Sequence, residues 1–180
     1  QKNQTSRLEN EMNIFFLHPD PQICASMHND KHVCKMILEY AQMLSSAHRT
    51  YSGDGWADAH HLPKIGRHYN HPCTKWVRAN SGTYQWMYAL FEAVLYEYYV
   101  RYDKSKNRRH HHEVYMDLLQ KTPKKIPVEK WIEPPQCMPD IFKDECVVTA
   151  YRKYYQYAKA GFNVWTNRPE PEWISEKIEL

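Results

Sequence analysis

Glycine is scarce in this 180-residue chain: there are five, and none falls in a GxGxxG or GxxxxGK[ST] loop. Nucleotide folds that cradle phosphate on such loops are therefore excluded. No GxSxG elbow occurs, so an α/β-hydrolase nucleophile is not expected. The five cysteines (Cys24, Cys34, Cys73, Cys137, Cys146) make no CxxC and no even framework, which favours reduced thiols in an intracellular, cytoplasmic setting. The chain has no apolar run of about 18 residues and no apolar signal core at its start, so neither membrane spanning nor secretion is expected. Charge of one sign is also lacking. Lys and Arg number 24 against 21 Asp and Glu, a net charge of +3, too mild by itself to require a nucleic-acid partner.

The chain is rich instead in rings, with 14 Tyr, 6 Trp and 11 His. Tyr and Trp join an apolar body to a polar tip and suit both helix cores and the half-buried walls of clefts. Residues 1–11 read as a flexible leader, with Met12 opening the ordered chain, and 12–180 as one helical domain. A short extended segment is expected over 13–17. Asp20-Pro21 marks a helix start, and that helix runs to about residue 50 with a second cap near Asn29-Asp30. Residues 51–70 hold three glycines and a proline and read as a loop. Asn70-His71-Pro72 starts helical sequence running to Tyr102, with a break near Asn80. Further helices are expected over 109–121 and from a cap at Asp144 to Ala160, with 122–142 wrapping irregularly over the surface. The fold class is mainly α: a single-domain helical bundle with long ordered loops.

The most informative stretch is His28 to Gln42. At about 100° per residue, Val33, Met36, Ile37, Tyr40, Leu44 and Ala47 gather on one side. His32, Lys35, Glu39, Gln42 and Ser46 gather on the other. A merely solvated face alternates Glu and Lys; this row carries a base, a cation, a carboxylate and an amide, enough to hold an anion and move a proton. His32, Lys35, Glu39 and Asp30 are the candidate catalytic residues, with Lys31 and Gln42 beside them as phosphate ligands.

A second candidate is the helix start at Pro72, where free N–H groups and the positive dipole end favour phosphate. His71, Lys75 and Arg78 would add to it, with Trp76 or Tyr84 stacking beneath a base. Glu97 and Arg101, at i, i+4, read first as a structural pair, although Arg101 and the aromatic-framed Arg152 also suit phosphate. Lys104, Lys106, Arg108 and Arg109, followed by Lys121, Lys124 and Lys125, form a basic stretch that is either a phosphate patch or a solvated loop. Cys24, His28 and His32 have the spacing of a helical zinc pair but no fourth ligand, so neither a metal nor a cofactor is expected.

Three segments carry a resemblance: Asp30-Lys31-His32-Val33 through Glu39 and Gln42; Asn70-His71-Pro72 with Trp76-Val77-Arg78, Tyr84 and Glu97-Tyr98; and Ala150-Tyr151-Arg152 with Tyr154-Tyr155 and Trp165. Over roughly residues 12–175 the chain resembles the amino acid:DNA transferases, small helical phage proteins of thymine hypermodification. The resemblance implies a transferase, in the cytoplasm of a host cell, that joins an amine or amino acid to a 5-pyrophosphoryloxymethyl pyrimidine in DNA with loss of diphosphate. Lys35, Arg78 and the Pro72 helix start would then stabilise the leaving group, Glu39 or His32 would take the ammonium proton, and Trp76 or Tyr84 would support a flipped base. The alternative enzyme is a DNA glycosylase or lyase acting on a flipped base, with Lys35 or Lys31 forming an imine with the opened sugar. The non-enzyme alternative is a phage accessory, structural or inhibitor protein.

Overall fold

The computed structural model describes residues 12–102, 110–176, 178 and 180. Asp20 caps α1 (Pro21–Met27), its side chain accepting from the amides of Gln22 and Ile23. The chain breaks at His28, and Asn29 caps α2 (Asp30–Ser52) by accepting from His32 N. The second cap expected near Asn29 therefore forms, because an Asx side chain satisfies an amide the new helix leaves open. The apolar stripe of α2 is buried from Val33 to Ala47.

Three expected elements differ. Residues 51–70 are not a plain loop: Gly53, at φ 91°, turns the chain into a short helix, α3 (Asp54–Ala59). Arg49 ties that helix back to α2 through Asp54 (3.0 Å) and Asp58 (2.9 Å), and a 3₁₀ turn follows over Gly66–Asn70. The break expected near Asn80 does form, dividing the helical sequence after Pro72 into α4 (Pro72–Val77) and α5 (Ser81–Tyr102), with Asn80 Oδ1 accepting from Thr83 N at 2.9 Å. The stretch near 109–121 is a 3₁₀ turn (His111–Tyr115) leading into α6 (Met116–Leu119). Asp144 stands too early to cap α7 (Val147–Ala158); it accepts from Cys146 N and pairs with Lys153 at 2.8 Å.

The long helices α2 and α5 pack together at the centre, with α1 across α5 and α3 and α4 against α2. Residues 12–17 run without regular structure between α2 and α7, with Ile14, Phe16 and Leu17 fully buried. The irregular stretch 122–142 crosses the start of α5, where Ser81 N donates to Pro127 O (2.8 Å) and Gly82 N to Glu129 O (3.1 Å). The protein is mainly α, with no strand among the described residues. No described helix is long and apolar enough to cross a membrane. The expected leader, 1–11, and the basic run from Lys104 to Arg109 lie outside the described residues.

Candidate active site

The polar row of α2 does not lie open to water. Residues 12–17 and α7 cover its first turns. Phe15 adopts a left-handed φ of 56°, which costs a non-glycine residue about 1 kcal/mol. The turn lets its carbonyl accept from Leu17 N and from the Cys24 thiol, and lays its ring on His32 with centroids 4.0 Å apart. His32 is buried and its Nδ1 lies 2.6 Å from the Tyr155 hydroxyl. That hydroxyl also accepts from Asn29 N, so ring and hydroxyl are fixed against the start of α2. Burial, reinforced by His28, Lys159, Lys35 and Lys31, holds the His32 pKa well below its ordinary value. His32 is therefore a neutral, fixed ring, with its Nδ1 engaged by Tyr155.

Glu39 is different. One carboxyl oxygen lies 3.5 Å from the Lys35 ammonium. The other, Oε2, is buried with no hydrogen-bond partner among the described residues. Burial raises the carboxyl pKa, against the pull of Lys35 and of the Asn13 main-chain amide. Lys35 itself is one-third exposed. The pair thus places an amine at the surface beside a carboxyl poised to exchange a proton.

Cations gather next to it. Lys31 stands 4.1 Å from the centre of the Phe162 ring, and Lys159 lies 4.8 Å from that of Tyr154. Both act on His32 together with Lys35, but Lys159 is buried, so Lys31 and Lys35 are the two ammonium groups of this set that a phosphate can reach. Lys159, Phe162 and Asn13 escaped sequence reasoning. The one available signal was Lys159 itself, a cation placed just beyond the last turn of α7, where the helix dipole favours it.

Several other candidate residues are occupied elsewhere. Asp30 is not free for catalysis: it pairs with Arg101 at 3.2 Å and accepts from Thr166 N and Oγ1. Arg101 is 2% exposed, locked between Asp30 and Glu97, where no phosphate reaches it. Tyr84 is fully buried, donating to Leu119 O (2.6 Å) and facing His48. Trp76 is 5% exposed and donates to Ile132 O. Neither ring can lie beneath a base. Arg78 donates to Tyr69 O and stacks on the Tyr69 ring. Arg152 donates to Leu17 O, and Gln42 to Lys64 O. Lys75 is exposed on α4, which with six residues is a short helix. His71 caps that helix and lies beside Cys73 and Cys137.

The suggested zinc pair is also engaged: His28 Nδ1 meets Cys24 O and its Nε2 meets the Tyr40 hydroxyl. Lys121, Lys124 and Lys125 line a separate cleft of about 550 Å³ with His48, Trp56 and His60. His48 is nine residues beyond Glu39, so at about 100° per residue this second basic cleft opens on the opposite side of α2.

Comparison with protein families decides between the readings. The family model described as pyrimidine dimer DNA glycosylase matches residues 12–110, more than half of the chain. The chain belongs to the pyrimidine dimer DNA glycosylase family. No curated protein and no solved structure gives a significant match. The family assignment overturns the resemblance to amino acid:DNA transferases and, with it, the transferase reading and its amine co-substrate. The error has a chemical cause. An amine, a carboxylate and cations beside an extrahelical base serve both chemistries, so residue types alone did not separate them. His32, Lys35 and Glu39 all fall within the matched segment.

Proposed function

We propose that this chain is a DNA glycosylase that cuts the glycosidic bond of one pyrimidine in a pyrimidine dimer, with Lys35 and Glu39 as its reacting groups. The observation that carries this reading is the Glu39 carboxyl, with its unbonded buried oxygen and raised pKa, beside the Lys35 amine inside the family-matched segment. Family membership supports the substrate class, and the charged pair supports the mechanism.

In this mechanism Glu39 takes a proton from the Lys35 ammonium, and the free amine attacks C1′ of the damaged nucleotide. The C1′–N1 bond breaks, and its electron pair leaves with the base, which stays tethered to its neighbour through the dimer. Opening of the sugar at O4′ gives an imine between Lys35 and C1′. Water then releases the imine, or loss of the C2′ proton eliminates the 3′ phosphate and nicks the strand. The exposed Lys31 holds a flanking phosphate, the buried Lys159 adds positive charge beneath it, and the His32–Phe15 stack forms the floor on which the α2 row rests.

Borohydride reduction of a reaction on duplex DNA carrying one thymine dimer tests this. The expected result is a covalent protein–DNA adduct on damaged DNA alone, mapping to Lys35 and lost in Lys35→Met. The main-chain nitrogen of Asn13, also beside Glu39, is an amide in this chain and cannot attack. An adduct on an amine freed there by processing would move the nucleophile from Lys35 while keeping the glycosylase reading. Intact dimer DNA after prolonged incubation would overturn the reading altogether.

A further inference from the structure

His71, Cys73 and Cys137 take no part in the chemistry proposed for Lys35 and Glu39. One ring nitrogen of His71 and the two Sγ atoms all lie within 4.8 Å of one another, and the two sulfurs are 3.1 Å apart. Cys73 is fully buried in the first turn of α4, His71 is its N-cap, and Cys137 comes from the irregular stretch 64 residues on. Two thiols and an imidazole drawn from segments this far apart are not a by-product of helix periodicity.

We propose that these three residues bind a divalent, thiolate-preferring cation, zinc foremost, that clamps the irregular stretch 122–142 onto the start of α4. The donor set suits zinc, which takes Cys sulfur at about 2.3 Å and His nitrogen at about 2.0 Å in a tetrahedron. In such a tetrahedron the donors are about 3.5 to 3.8 Å apart, so the two sulfurs, now at 3.1 Å, move slightly apart by small side-chain rotations as the cation enters.

The surroundings fit as well. His71 Nδ1 accepts from Cys73 N at 3.2 Å; its lone pair therefore faces residue 73 with the ring proton on Nε2, and a cation taken up at Nδ1 would displace that amide. Cys137 is held on both sides of its peptide: its N–H donates to the Tyr151 hydroxyl at 3.3 Å and its carbonyl accepts from Asn13 Nδ2 at 2.7 Å. Such outer contacts orient metal ligands. Solvent would take the fourth position. Through Asn13 the clamp also steadies the strand of chain beside Glu39, so the cation acts on the fold, with no chemical step of its own.

The test uses the full chain, expressed with zinc and purified in a phosphine reductant without chelator. Elemental mass spectrometry is expected to find one zinc per chain, and cobalt(II) replacement to give a thiolate-to-metal charge-transfer band. Cys137→Ser leaves the buried Cys73 in place, and His71→Asn keeps a good helix cap, so both should fold. Each is expected to weaken cobalt binding at least tenfold. A strong chelator should lower the melting temperature of the native chain and leave that of Cys137→Ser unchanged. Two results would each overturn the proposal: reduced protein that takes up neither zinc nor cobalt, or a Cys73–Cys137 disulfide in protein alkylated at lysis.

Discussion

At the scale of single residues, burial decides which groups can react. His28 is a buried titratable group beside α2 and Glu39 a half-buried one on it, yet only Glu39 has a buried polar atom, Oε2, left without a partner. Glu39→Gln keeps the shape and removes the base. It is expected to lower cleavage of dimer-containing DNA by about 10²- to 10⁴-fold, with DNA affinity in a gel-shift assay nearly unchanged. Since burial raises the Glu39 pKa, the acid limb of the native cleavage profile should lie above the ordinary carboxylate value. His28 controls stability instead. Burial lowers its pKa from 6.5 to about 4. Between those values the unfolded chain binds a proton that the folded chain refuses, so stability falls as pH drops through 6.5 and levels off below about 4. By linkage the loss totals about 3 kcal/mol. Melting temperatures recorded from pH 7.5 downward should show this decline, and His28→Gln should reduce it, leaving the part that His32 and His48 contribute by the same burial.

At the scale of elements, one ion network and one glycine hold the long helices in register. Arg101, on α5, reaches the carbonyls of Ser26 and His28 at the end of α1, and also Asp30 and Glu97; Arg168 closes on Glu97 at 2.7 Å. The guanidinium thus satisfies carbonyls that the short α1 leaves open and balances two carboxylates. Arg101→Met leaves those carboxylates under-compensated and should cost about 3–5 kcal/mol in denaturant unfolding. Gly82 lets the 127–131 stretch ride directly on α5: a Cβ there would meet Lys130 C at 2.7 Å and Glu129 O at 2.8 Å. Gly82→Ala should therefore destabilise by about 2 kcal/mol.

These elements also show what the sequence could reveal. The buried stripe of α2, the caps at Asp20 and Asn29 and the Glu97–Arg101 pair were legible, because each depends on neighbours within a turn or two. The tie between Arg49 and α3 was not, since Gly53 and Gly55 read as breakers until the chain was seen to fold back on Arg49. Nor was the burial of Trp76, Tyr84 and Arg101, which depends on distant segments. The Lys35–Glu39 pairing was visible as an i, i+4 spacing. Its partial dryness comes from the covering of the α2 row by residues 12–17, a contact no local pattern encodes.

At the scale of the whole molecule, a net charge of +3 conceals an uneven surface. Lys31 and Lys35 present positive charge at the N-terminal end of α2, with the buried Lys159 behind them, so DNA should be drawn to the same end as the reacting pair. Lys31→Ala is expected to weaken binding to damaged and undamaged duplex alike, and to reduce the salt dependence of binding by about one phosphate contact. The fold places an amine and a protonatable carboxyl side by side at the edge of the helix bundle, and on that placement the enzymatic reading stands. Borohydride trapping on a thymine-dimer duplex, followed by peptide mapping, examines it most directly. A damage-dependent adduct on Lys35, absent in Lys35→Met and strongly reduced in Glu39→Gln, is the expected result; dimer DNA that is neither cleaved nor trapped by the folded native chain would contradict it.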